Sequence, residues 1–198
     1  MYKEILNPYF KHSTTGEAVN YVTKVELLAS EEALTINFQC EDNPYTSQNH
    51  MREHNAPLYN QEVFEVFISK GTEDPTRYWE IEINPNAAVW IGEIEKLGDE
   101  PQQILRNLLP EEFGLDWEAK AELDRWEGKL VIPWDSIGAK GEVDFRLNFY
   151  RIRSKVSHED PNWTCDAETC DFICWQSTLS GDQPAFHRPK KFGKLRIQ

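Results

Sequence analysis

Gln61-Glu-Val-Phe-Glu-Val-Phe-Ile-Ser69 is the stretch whose pattern settles the fold class. Successive residues of an extended chain point to opposite faces, so Phe64, Val66 and Ile68 share one face and Val63, Glu65 and Phe67 the other. An aromatic and β-branched run of this length, apolar on both sides, reads as a strand buried on both faces. Glu65 is the exception. It sits among apolar neighbours on its own face, and a carboxylate so placed needs a partner or a ligand. An ion pair with an Arg across the sheet would serve, and so would a bound molecule.

Working outward, Ala33-Leu-Thr-Ile-Asn-Phe-Gln-Cys40 alternates cleanly, with Leu34, Ile36, Phe38 and Cys40 inward. Tyr21–Leu28 is a strand candidate before it. Downstream, Arg77–Asn84 places Trp79, Ile81 and Ile83 on one face and Glu80, Glu82 and Asn84 on the other. Pro85-Asn86 turns it into Ala87–Ile94, a hairpin. The segment 96–114 is irregular, with a short helix expected over Gln102–Leu109 between Pro101 and Pro110. Trp117–Asp124 and Lys129–Ile132 read as strands. Val143–Arg153 is the longest, with Phe145, Leu147 and Phe149 on one face. Arg146, Asn148 and Tyr150 make the other, which is either a binding surface or a solvated one. Asp171–Trp175 is broken by Ser180, Gly181, Asp182 and Pro184, and an alternating pattern resumes over Phe192–Ile197. Many short strands with turn signals between them, and almost no helical period, predict one all-β domain over residues 1–198. Its architecture is an antiparallel β-sandwich of the immunoglobulin or jelly-roll kind, with long loops at one edge.

The polar loops 43–61 and 154–170 are long enough to suggest function or mobility. A third holds Phe186-His187-Arg188 between Pro184 and Pro189. A flat ring beside hydrogen-bond donors suits a sugar ring, though Phe186 could instead plug the end of the sandwich. The chain has 198 residues and a net charge of −13, which speaks against nucleic acid or an anionic membrane surface as partner. No apolar run is long enough to span a bilayer. Met1-Tyr-Lys-Glu-Ile-Leu-Asn7 has no secretory signal, so the protein either stays inside the cell or has lost such a signal. Seven Trp are more than a core of this size needs, so either some line a surface site or all are buried. Cys40, Cys165, Cys170 and Cys174 lack a standard zinc spacing. Cys40 and Cys174 read as small buried hydrophobes, and Cys165 and Cys170 could form a loop disulfide in an oxidising compartment.

Taken in order, Pro57–Ile68, Trp79–Asn84, Phe145–Arg151, Cys174-Trp175 and Phe186–Leu195 resemble the family 9 carbohydrate-binding modules and their relatives over nearly the whole chain. The resemblance implies a non-catalytic β-sandwich that clamps a mono- or oligosaccharide between two aromatic rings and hydrogen-bonds its hydroxyls. Carried onto this sequence, the rings are Tyr59 and Phe186, the strand carboxylate is Glu65, and the amide is Asn148. Glu82 stands at a strand position that is Arg in the sugar-binding form. The resemblance also implies structural calcium, for which Glu41-Asp42 and Glu73-Asp74 offer oxygen ligands without a defined calcium loop, so no metal ligand is assigned. A monomer is expected.

Two other functions compete. A glycoside hydrolase would use a carboxyl pair among Glu65, Glu80 and Glu82, spaced about 5 Å for retention or about 6.5–9.5 Å for inversion. A haem-binding redox module would draw ligands from Met51, His50, His54 and His187.

Overall fold

The computed structural model describes residues 2–197. Among these, thirteen strands pair into two antiparallel sheets. Five form the first sheet: β1 (Tyr2–Ile5), β3 (Thr23–Ala29), β4 (Ala33–Glu41), β10 (Arg125–Pro133) and β9 (Asp116–Ala121), in that spatial order. The second runs β2 (Lys11–His12), β12 (Cys170–Cys174), β11 (Asp144–Ser154), β5 (Val63–Lys70), β6 (Arg77–Ile83), β7 (Val89–Glu95) and β8 (Gln103–Asn107). Its eighth strand, β13 (Gly193–Arg196), pairs with β11. The expected all-β sandwich is the observed fold.

The inward-facing residues form the main core. Leu34, Ile36, Phe38 and Cys40 of β4 lie in one buried cluster with Phe64, Val66 and Ile68 of β5 and Phe145, Leu147 and Phe149 of β11. Phe38 stacks on Phe64 with ring centroids 4.0 Å apart, and Trp126 meets Phe38 edge-on at 5.1 Å. A second buried cluster covers the outer face of the larger sheet, where Phe67, Tyr78 and Tyr150 pack against Leu58, Phe186 and Phe192 from the loops. The larger sheet is therefore buried on both faces, which accounts for the unbroken apolar run in β5.

One cation links the sheets at one end. Arg151 of β11 is fully buried. Its guanidinium donates to Glu62 Oε1 at 3.2 Å, Thr23 Oγ1 at 3.1 Å, the Glu41 carbonyl at 2.8 Å and the Asn43 side chain. Trp126 Nε1 donates to the same Glu62 oxygen at 3.1 Å. Burial raises the Glu62 pKa, and the Arg151 charge and the Trp126 donor oppose that.

Strands β12 and β13 lie end to end along one edge of β11, with Cys174 opposite Tyr150 and Gly193 opposite Leu147. The chain between them leaves the sheet as a loop. Asn148 stands opposite the break. Its Nδ2 donates to the Gln176 carbonyl at 2.8 Å, and its Oδ1 accepts from the Gln176 amide at 2.9 Å. The side chain thus replaces the strand pairing that is interrupted there.

The helix expected over Gln102–Leu109 is instead the edge strand β8, and the only α-helix among the described residues is the single turn Pro110–Phe113. The open edge of β7 supplies backbone partners, and Arg106 pairs with Glu93 directly across at 2.7 Å. Tertiary pairing outweighs a weak helical pattern in a segment this short. Strands β1 and β2 precede the first strand expected from the sequence, and the 43–61 loop holds 3-10 turns at Thr46–Gln48 and Leu58–Asn60.

Removing Arg151 leaves Glu62 buried without its counter-charge. Arg151→Met is expected to lower stability by about 3–5 kcal/mol in urea unfolding. Lys24→Met, which breaks the exposed 2.7 Å pair with Glu41, should cost less than about 1 kcal/mol. Equal shifts for the two variants would contradict this assignment.

Candidate functional site

The outer face of the larger sheet opens into a cleft of about 1050 Å³. Its floor is built from β5, β6, β7 and β11, and register decides which side chains meet there. Glu65 of β5 lies opposite Glu82 of β6 and, on its other side, opposite Tyr150 of β11. Glu80 lies opposite Phe67 and Gly92, and Glu82 opposite Trp90. Directly paired residues bring their Cβ atoms to roughly 4.5–5.5 Å, and Glu80 and Glu82 share a face about 7 Å apart along the strand. Three carboxyls therefore meet on one floor, with exposures of 2% for Glu65, 6% for Glu80 and 1% for Glu82.

Such a cluster resists ionisation. Burial pushes the Glu65 carboxyl up to about 8. Burial and then the nearby Glu65 raise Glu80 well above the usual carboxylate range. Glu82 is raised by burial and by both neighbours, with the Tyr59 backbone amide opposing the rise. Glu82 Oε2 is buried with no hydrogen-bond partner. The Arg that could have neutralised Glu65 is engaged elsewhere: Arg151 binds Glu62, and Arg146 pairs with Asp74 at 2.6 Å and with the Phe192 carbonyl. His187 closes one side of the floor. Its Nδ1 shares a hydrogen bond of 2.7 Å with Tyr78 Oη, and its Nε2 lies 3.9 Å from Glu80. Burial, and secondarily Lys96, lower the imidazole to about 4. It is neutral near pH 7, so its contact with Glu80 is not an ion pair there.

The model of carbohydrate-binding family 9 matches residues 12–197. The chain belongs to this family. An extracellular protein of Arthroderma benhamiae is 33% identical over 148 residues, which span 70% of this chain and 67% of that protein. A Bacteroides uniformis structure, provisionally assigned as carbohydrate-binding, matches with a TM-score of 0.68 at 17% identity, covering 98% of this chain and 86% of that one. A family 9 module of Caldicellulosiruptor kristjanssonii solved with glucose gives 0.53 at 12% identity, over 96% and 83% of the two chains. The same organism's module with cellotriose gives 0.54 at 13%, over 100% and 82%. At these identities the structural matches speak for the fold.

In this family 9 chain, the expected site residues separate into two groups. Tyr59, Glu65, Glu82 and Phe186 all line the cleft. Tyr59 sits on the Leu58–Asn60 turn with 52% of its surface exposed. Phe186 is only 9% exposed. Its ring stacks on Tyr150 at 4.4 Å, and Tyr150 Oη donates to its carbonyl at 3.0 Å, so the loop is fastened to the floor. Asn148 does not line the cleft. It shares a face with Tyr150, but its amide is used on Gln176 at the strand break.

Of the potential haem ligands, His187 alone lines the cleft. His50 is bonded to Gln61, and His54 accepts from the Val89 amide. Among the described residues, no group of three or more His, Cys, Asp or Glu is arranged to hold a metal ion. Asp42 pairs with Arg153 and Asp74 with Arg146. Cys165 and Cys170 are free thiols with their sulfurs 3.1 Å apart, and Cys165 lines the cleft.

Sequence reasoning missed Trp90, which is half-buried and lines the cleft. Its ring lies over Gly92, where a Cβ would come within 2.3 Å of the indole. The Trp90-Ile-Gly92 spacing was the available signal: on one face of a strand, Gly leaves room for the preceding ring to lie along the sheet.

The buried Glu65 makes stability depend on pH. Its folded pKa lies above its unfolded value. Its contribution is therefore present in full below the ordinary carboxylate range and is lost as pH rises toward about 8. Melting temperature is expected to fall from about pH 5 to about pH 8, and Glu65→Gln should flatten that fall. An unchanged pH profile in the variant would show that the carboxyl is not held protonated by the fold.

Proposed function

We propose that this chain is a non-catalytic carbohydrate-binding module that takes a mono- or oligosaccharide into the cleft beside Tyr59. One observation carries the reading: an exposed aromatic ring and a floor of buried carboxyls share a single cleft. Family membership and the glucose and cellotriose held by the Caldicellulosiruptor modules support it. A pyranose has an apolar C–H face and a rim of hydroxyls. Tyr59 supplies the stacking ring, with Phe186 and Trp90 as further apolar surface. A carboxyl accepts hydrogen bonds when ionised and can also donate when protonated, so Glu65 and Glu82 match the rim. Burying apolar area at about 25 cal/mol per Å² and exchanging hydroxyl partners at about 1 kcal/mol net each give affinities of roughly micromolar to millimolar.

The electrostatics disfavour a hydrolase. Glycoside cleavage needs one carboxyl ionised while its partner holds the proton. Here burial raises Glu65, Glu80 and Glu82 alike, so the cluster lacks the opposed environments that would set one carboxyl apart as acid and another as base.

Tyr59→Ala is expected to weaken glucose or cello-oligosaccharide binding by about tenfold in calorimetry. The melting temperature should stay within about 2 °C of the parent, because the side chain is exposed. Undiminished binding by Tyr59→Ala would remove Tyr59 from the site. A folded parent protein that binds no member of a broad glycan panel would end the carbohydrate reading.

A further inference from the structure

Glu65, Glu80 and Glu82 reach the cleft floor from two adjacent strands, each more than nine-tenths buried. Glu82 Oε2 has no partner, and no donor opposes the effect of burial at Glu65. The cations nearby do not answer them. Arg146 is engaged by Asp74 and the Phe192 carbonyl. Arg188, Lys190 and Lys191 line the cleft but are exposed, and Asp74 and Asp99 line it with them. Lys96 is half-buried, and its ammonium donates to the Glu100 carbonyl. Buried beside the floor, Tyr78 and Tyr150 are neutral phenols raised by burial, and His187 is the neutral ring already described.

A neutral hydroxyl can bond to one of these carboxyls but brings no counter-charge against which they can ionise. An ammonium group supplies three donors, no acceptor and a positive charge, and charge-assisted bonds are roughly twice as strong as neutral ones. We propose that the cleft selects an amino sugar, a hexose ring with a free ammonium group, over its neutral counterpart, seating the ammonium among Glu65, Glu80 and Glu82. The selection rests on the carbohydrate reading of the same cleft. Seating the cation releases carboxyl protons to solvent, so binding strengthens as pH rises while the ligand stays charged.

The test is calorimetric titration of the full chain with glucose, glucosamine and cyclohexylamine, which offer hydroxyls alone, hydroxyls with charge, and charge alone. The work is kept at or below about pH 7, where an amine of the α-amino type remains mostly charged. Glucosamine is expected to bind about tenfold more tightly than glucose and more tightly than cyclohexylamine. Its affinity should rise between about pH 5 and pH 7, with proton release, while that of glucose stays flat. Glu82→Gln and Glu65→Gln should each reduce the glucosamine-to-glucose ratio. Glucose binding as tightly as glucosamine overturns the selection and leaves the carbohydrate reading standing. Cyclohexylamine matching glucosamine, or no binding by any of the three, overturns the selection, while the carbohydrate reading is decided by the broad glycan panel. A ratio that persists in both Gln variants shows that the ammonium sits elsewhere and overturns the assignment.

Discussion

The buried Arg151 guanidinium is the constraint on which the rest of the sandwich depends. It reaches from the longest strand of one sheet to Thr23 and the Glu41 carbonyl in the other, and it holds Glu62 immediately before β5. A buried cation is tolerated only where its donors are met, so these groups must come together for the fold to close. Its placement also sets the site. With Arg151 directed toward the first sheet, its neighbour Tyr150 faces the opposite way, under the loop that covers the outer face, where it carries Phe186 and borders Glu65. The alternation of one strand thus separates a satisfied charge on one face from the buried carboxyls of the cleft on the other.

The cleft follows from how the outer face is covered. Loops pack Leu58, Phe186 and Phe192 onto Phe67, Tyr78 and Tyr150, and this apolar cover keeps water from the Glu65, Glu80 and Glu82 side chains. Their raised pKa values are a product of that cover more than of mutual repulsion, since burial is the leading cause in each case. The protonation state of the floor is therefore coupled to the integrity of loops distant from it in sequence.

The strands were legible because period-two patterns in β4, β5, β6 and β11 reflect burial that is purely local in register. The 103–107 segment was not, because its strand character comes from pairing with the open edge of β7, which no local pattern records. The site was partly legible. Glu65 stood out as a carboxylate within an apolar face, while Tyr59 came only from the family resemblance. Asn148 misled, since the sequence shows a polar residue on the right face but not the strand break that uses its amide. Trp90 was overlooked because its availability depends on Gly92 beneath it, a feature of shape and not of polarity. Whether Phe186 was a clamp or a plug could not be read from composition either: it lines the cleft while lying mostly against Tyr150.

The interrupted edge beside β11 has a further consequence. Because β12 and β13 are both anchored to one strand, and Asn148 seals the gap between them, the excursion carrying Phe186, His187 and Arg188 begins and ends at fixed points of the scaffold. A change in its length or chemistry leaves both anchoring registers in place. Such an arrangement behaves as an exchangeable cassette: the framework tolerates a different insert because neither anchor depends on what lies between them.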